Sequence, residues 1–189
     1  FNSAINIIDL KISNGFADNE LLNQINSYKN KYKKNNQKMI LELKTNQVLF
    51  YLKKFEILKE NLIAQTKTIP RDNMYYNNFL DGLILTMLFN NKNKELEIFS
   101  ESIYNIKKIE YDQALQGLTE LSLSDDKLIV NLSLYYQSYI YIMQQNYNFS
   151  ESILNTINND DIFSQLTILI WAEIDDHIHD DKNAAIDKY

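Results

Sequence analysis

Apolar residues recur at helical spacing along nearly the whole chain. From Met39 the series Met39, Leu43, Leu49, Leu52 and Phe55 advances in steps of three, four and six, and Tyr76, Leu80, Leu83, Ile84 and Met87 form one broad stripe. Short polar clusters separate the stripes: Gly15 with Asp18-Asn19, Pro70 with Arg71-Asp72, Asn90 to Asn93, Ser124 to Asp126, Asn158 to Asp161, and Asp180-Asp181. Such clusters cap and connect helices, and none is long enough to link domains. The pattern predicts helices over 3–13, 19–34, 37–52, 54–67, 73–90, 94–107, 110–123, 127–144, 147–157, 161–178 and 182–189.

Composition narrows this further. With three glycines and one proline in 189 residues, the chain lacks the turn residues that sandwiches and barrels need, and it lacks the glycines that meet phosphate in dinucleotide-binding folds. At 45% hydrophobic it is too apolar to be disordered, so an all-α chain remains. The absence of cysteine removes disulfides and thiolate chemistry and leaves both cytoplasm and periplasm open. No apolar window reaches the roughly 18 residues of a membrane span. The chain starts at Phe1 and stops at Tyr189 within a predicted helix, which reads as a fragment with an anchor or further repeats outside it.

Helices of this length joined by tight connections prompt a search for repeats. Tyr111-Asp112-Gln113-Ala114, Tyr147-Asn148-Phe149-Ser150 and Asp181-Lys182-Asn183-Ala184 occupy equivalent places, 36 and 34 residues apart, each opening a second helix. Twelve residues before Ala114, Ser150 and Ala184 stand Ser102, Ser138 and Ala172, so a small side chain on each first helix can face a small one on the second. Tyr141 can fill the gap between pairs, and Leu118 and Leu154 point into the same core. The expected buried set is Ser102, Ala114, Leu118, Ser138, Tyr141, Ser150, Leu154, Trp171, Ala172 and Ala184.

This arrangement resembles the tetratricopeptide repeat, a 34-residue helix pair with small residues at these packing points, over about residues 94–189. It departs from that pattern at Glu101 and Gln137, where leucine is usual, at Asp175 in the place of Tyr141, and in having no terminal proline. The resemblance implies antiparallel helix pairs stacked as a TPR-like α-solenoid: loosely repeat-like hairpins over 1–93, then three units over 94–189 with the last truncated, in one continuous array. Residues 126–157 are similar to the helix pairs of bacterial envelope tetratricopeptide proteins. The competing reading is a non-repetitive helical bundle drawn from a sequence rich in Asn, Lys, Ile and Tyr.

Function follows the same resemblance. It implies a non-enzymatic scaffold that holds a protein or peptide in a concave groove, with Tyr136, Tyr139 and Asn105 as contacts. Tyrosine suits such a surface because it offers apolar area, a hydroxyl and few rotors. The alternative is a self-assembly module that stacks through the truncated C-terminal end. Charge is uneven, with 12 Lys+Arg against 6 Asp+Glu through Arg71 and 7 against 19 beyond it, so the second part favours a basic or neutral ligand. The lysine run Lys29, Lys31, Lys33, Lys34 and Lys38 has no arginine forks, and nucleic acid is not the expected partner.

Candidate chemistry is thin. Asp175-Asp176-His177-Ile178-His179-Asp180-Asp181 offers carboxylates and imidazoles, but His177 and His179 lie about 200° apart on a helix. The weak enzyme alternative is metal-assisted hydrolysis through Asp176, His177 and Asp180. The expectation is no catalytic residue, no metal and no cofactor. Asp125-Asp126 and Asp160-Asp161 read as helix caps, and Gly82 and Gly117 as close-packing points.

Overall fold

Short polar connections and long amphipathic stripes leave the chain few options other than helices folded back on one another. The computed structural model describes residues 1–157, 167–177 and 182–188. Among the described residues there are eleven α-helices and no strand: α1 Asn2–Ser13, α2 Asn19–Lys31, α3 Asn35–Tyr51, α4 Phe55–Thr68, α5 Tyr76–Leu88, α6 Asn93–Lys107, α7 Tyr111–Leu121, α8 Lys127–Met143, α9 Tyr147–Leu154, α10 Ile168–His177 and α11 Lys182–Lys188. Asp18 caps α2 by accepting a hydrogen bond from the Leu21 N–H at 2.7 Å, and Asp126 caps α8 through the Leu128 N–H at 2.9 Å. Asp160 and Asp161 lie outside the described residues. No described helix is long and apolar enough to cross a membrane.

The chain divides into two units, Phe1–Glu110 and Tyr111–Tyr189. In the first, α3 is the hub: it packs against α2 and α4, and also touches α1 and α6, while α4 packs on α5. Leu41, Val48 and Leu49 of α3 are buried, as are Ile8 and Ile12 of α1 and Leu21 and Ile25 of α2. A methyl on Gly82 of α5 would lie 3.2 Å from a Leu62 methyl, so the missing side chain does allow α4 and α5 to approach closely.

Helix α6 is fixed by aromatic contacts and two hydrogen bonds. Phe99 stacks on Phe89 with ring centroids 5.3 Å apart and meets Phe50 edge-on at 6.2 Å. Beside them the fully buried Ser100 hydroxyl donates to the Phe50 carbonyl at 2.6 Å, near the end of α3. Tyr104 stacks on Tyr51 at 4.6 Å, and its hydroxyl accepts the Ala17 N–H at 2.9 Å, which ties α6 to the turn between α1 and α2. Burial pushes the Tyr51 hydroxyl above the ordinary tyrosine range, with Tyr104 and Asp9 adding to the rise against a lowering hydrogen bond from Gln47.

In the second unit α8 packs between α7 and α9, and α10 contacts α8, α9 and α11. Leu118, Leu121, Ile129, Ile140, Leu154, Ala172 and Ile174 form its core. Gln137, standing where a leucine was expected from the repeat, is buried and donates its amide N–H to the Leu118 carbonyl at 3.2 Å. A polar side chain is tolerated there because it serves a carbonyl of the last turn of α7.

Seven of the ten residues expected in the interior are buried: Ser102, Ala114, Leu118, Ser138, Ser150, Leu154 and Ala172. Three expectations are corrected. Tyr141 is only half-buried, because it stacks on the exposed Phe149 at 5.5 Å and so lies at the edge of the α8–α9 seam. Trp171 is also half-buried, while Ile170, Ala172 and Ile174 beside it occupy the interior. In α11 the buried alanine is Ala185, and Ala184 is partly exposed. This register goes with an ion pair that the apolar pattern did not contain: Asp175, buried on α10, pairs with Lys188 of α11.

Candidate functional site

One local geometry recurs along the chain, and it begins in the backbone. Gly15, Lys53, Ile109 and Gln145 all have positive φ, between 57° and 86°. At each, that residue's N–H bonds the carbonyl three residues back and the next N–H bonds the one five residues before it: Gly15 to Ile12 and Phe16 to Lys11, Lys53 to Phe50 and Lys54 to Leu49, Ile109 to Ile106 and Glu110 to Asn105, Gln145 to Ile142 and Asn146 to Tyr141. This is the left-handed helix stop that satisfies the orphan carbonyls of a last turn. Two residues after Lys53, Ile109 and Gln145 come Phe55, Tyr111 and Tyr147, each opening the next helix. Three residues further stand Leu58, Ala114 and Ser150, then Leu62, Leu118 and Leu154, all buried.

Within the second unit this geometry brings the predicted small pair together. Ser138 and Ser150 are fully buried, and their hydroxyl oxygens lie 2.7 Å apart across α8 and α9. Of the other two predicted pairs, Ser102 and Ala114 belong to different units, and Ala172 is buried while Ala184 is partly exposed. In the first unit, Asn46 and Leu58 stand at the same separation as Ser138 and Ser150, and both are buried. Sequence reasoning saw only a possible second-helix start at Lys54 to Leu58, because the preceding helix carries asparagine where the later ones carry serine.

The three predicted contact residues do not share one setting. Tyr136 and Tyr139 are half-buried on α8, and the Tyr136 ring meets Tyr135 edge-on at 5.1 Å. Burial raises the Tyr135 hydroxyl above its usual range and Tyr139 adds to that; Tyr135, half-buried like Tyr136 and Tyr139, was not among the predicted contacts. Asn105 lies on α6 in the other unit and is only 8% exposed.

The acidic and histidine segment shows a different use. His177 stacks on Tyr147 at 4.7 Å and lies 3.4 Å from the Glu173 carboxylate one turn earlier. Asp176 is exposed, and His179, Asp180 and Asp181 fall outside the described residues. Among the described residues, no three His, Cys, Asp or Glu side chains gather as metal ligands would.

A groove of about 330 Å³ runs between the first half of α3 and the second half of α4, bordered by Lys38, Met39, Glu42, Ala64, Gln65 and Phe79. Along it runs a polar chain that sequence reasoning missed. Lys29 donates to the Glu42 carboxylate at 2.8 Å, the Gln65 amide N–H donates to the same oxygen at 3.3 Å, and the Asn46 amide N–H donates to the Gln65 carbonyl oxygen at 2.7 Å. Asn46 and Gln65 are nineteen residues apart, and nothing in either helix's own spacing pairs them. An asparagine inside the apolar run Leu41 to Phe50 was the available signal.

No protein-family model, no curated protein and no solved structure matches the chain.

Proposed function

We propose that the chain is a tetratricopeptide-like array of helix pairs that acts as a non-enzymatic scaffold for a protein or peptide. The observation that carries this reading is the recurrence of one pair geometry at α3–α4 and α8–α9: the same left-handed stop, an aromatic opening the second helix, and buried residues at matching offsets. A pair that repeats its own turn and seam is a stacking unit, and stacked units leave one face of their first helices for a partner. Contact of α10 with α8 in the second unit, and of α3 with α1 in the first, supports stacking of neighbouring pairs within each unit.

The partner surface is the tyrosine face of α8, with Tyr136 and Tyr139 as anchors. Both residues are half-buried, and a tyrosine has few rotors to freeze, so little rotamer freedom is lost on binding. The second part of the chain is acidic, and a basic or neutral segment fits it. His177 is engaged by Tyr147 and Glu173, which supports a structural role over metal chemistry.

The test is affinity capture by the intact chain, comparing wild type with Tyr136→Ala/Tyr139→Ala. A partner retained by wild type, lost by the double variant and released by added salt is the expected result. A partner held equally by both removes the α8 assignment. Recovery of the chain alone favours self-assembly, for which Ile186, 69% exposed on α11, is the first residue to change.

A further inference from the structure

Each of the three glycines follows an amide or acid side chain: Asn14-Gly15, Asp81-Gly82 and Gln116-Gly117. A glycine after asparagine leaves that side chain open to attack by the main chain, because no Cβ hinders the approach of the glycine nitrogen. Gly82 and Gly117 lie inside α5 and α7, where regular helical bonds hold the backbone in place. Gly15 stands just past α1, and both it and Asn14 are exposed.

The stop itself keeps the nitrogen and the side chain apart. Asn14 has ψ 9°, so the Gly15 nitrogen stands close to the Asn14 nitrogen and away from the Asn14 Cβ. Bringing it in line with the side chain takes about a third of a turn around the Cα–C bond. The Gly15 N–H is also held by the Ile12 carbonyl at 3.0 Å, and the Phe16 N–H by the Lys11 carbonyl at 2.8 Å. That rotation breaks both bonds and swings the chain that follows.

The following chain is fastened as well. The buried Ala17 donates its N–H to the Tyr104 hydroxyl at 2.9 Å, and Asp18 then caps α2. The residue after α6 lies close to the stop, since a methyl on Gly15 would stand 3.7 Å from Lys108 Cδ. Helix α6 therefore guards the end of α1 through Tyr104.

We propose that Asn14 is a site of spontaneous, one-way deamidation, and that the α1 stop and Tyr104 set its rate. When the stop opens, the Gly15 nitrogen loses its proton to solvent and attacks Asn14 Cγ. A bond forms between them, the bond from Cγ to the side-chain nitrogen breaks, and that nitrogen leaves as ammonia, taking up a proton. Water opens the resulting ring at either carbonyl, leaving aspartate or the isomer whose main chain runs through Cβ and Cγ. Water is the co-reactant, and nothing is oxidised or reduced. Either product places a carboxylate at the negative end of the α1 dipole. The isomer also adds an atom to the main chain, so the bonds to Ile12 and Lys11 lose their register. Conversion thus loosens α1, which carries the buried Ile8 and Ile12, from α2 and α3. The site belongs to the first unit and does not depend on the tyrosine surface of α8.

The experiment keeps the full chain at neutral pH with and without denaturing urea, and follows Asn14 by peptide mass and by separation of the aspartyl and isoaspartyl forms. Three hydrogen bonds must open together, so wild type should convert at least roughly tenfold more slowly folded than in urea. Tyr104→Phe keeps the ring on Tyr51 and removes the bond to Ala17. It should convert about two- to tenfold faster than wild type when folded and at the same rate in urea. The converted chain, separated by charge, should exchange its α1 amides faster than the unconverted one. The wild-type comparison stands even where Tyr104→Phe does not fold. Equal rates folded and in urea, no conversion of Asn14 in the folded chain, another asparagine converting ahead of it, or an unchanged rate in folded Tyr104→Phe overturns the proposal.

Discussion

Replacing Ser138 by leucine should damage the second unit more than any other single change along the α8–α9 seam. The two serine oxygens are 2.7 Å apart and neither side chain is exposed. A carbon in that place needs about 3.5 Å or more from its neighbour, so the first atom of the leucine branch already intrudes by close to 1 Å before its two methyls are accommodated. Overpacking of this kind costs about 1–3 kcal/mol. The Ser150 hydroxyl loses its partner as well, a further cost of about 1–3 kcal/mol, and the two together give about 2–6 kcal/mol. Ser138→Ala strands the same hydroxyl without overpacking and should cost about 1–3 kcal/mol. Ser138→Ala/Ser150→Ala should be less destabilised than the sum of the two single changes, because removing both partners strands neither. Trp171 is the single tryptophan and lies in the same unit, so urea unfolding followed by its fluorescence reads the relevant transition directly. A Ser138→Leu chain whose midpoint and slope both coincide with wild type would refute the close contact.

Ile109 is a branched residue held at φ 63° and is 72% exposed, so Ile109→Gly should raise stability by about 1 kcal/mol, read as a higher urea midpoint. Gly15→Ala should lower it by about 1 kcal/mol; the nearest atom to the new methyl is an ordinary 3.7 Å away, so the cost lies in the backbone at φ 86°. Tyr51 holds its proton more tightly folded than unfolded: below about pH 10 both states are protonated and stability is full, and above it the unfolded chain ionises first and stability falls. Midpoints measured from about pH 9 to 11 should therefore decline, less steeply in Tyr51→Phe. Calorimetric titration with zinc should show no stoichiometric heat, and one-to-one binding lost in His177→Ala would restore the hydrolase alternative built on Asp176, His177 and Asp180.

The helices were legible because each apolar stripe ends at a polar cluster, and Ser138 with Ser150 was legible because two small residues stood at a spacing shared by neighbouring units. The seam went astray in the last pair for a related reason. Its second helix begins without the aromatic present at Tyr111 and Tyr147, and no apolar pattern announces the pairing of buried Asp175 with Lys188 that accompanies the inward Ala185. Tyr141 and Phe149 look like core residues to any hydropathy reading, yet their mutual stacking is made at the surface. The stops at Lys53, Ile109 and Gln145 were illegible because the usual signal for that conformation is glycine, and it is present only at Gly15. The Asn46–Gln65–Glu42 chain was hidden for another reason: its hydrogen bonds join α3 to α4, and neither helix's own spacing announces a partner on the other.

Those glycine-poor stops carry a consequence for how the chain acquires its shape. A left-handed backbone at Lys53 or Gln145 costs about 1–2 kcal/mol locally, so the isolated turn prefers to be something else. Reversal of the chain cannot then be the seed from which α3–α4 or α8–α9 zips up. The flanking helices must dock first, through Leu58 and Leu62 in one pair and Ser138, Ser150 and Leu154 in the other. The turn is forced closed behind them. In kinetic terms the stops should show φ-values near zero and the seams values well above it. Glycine at position 145 would then slow unfolding and leave the folding rate almost untouched.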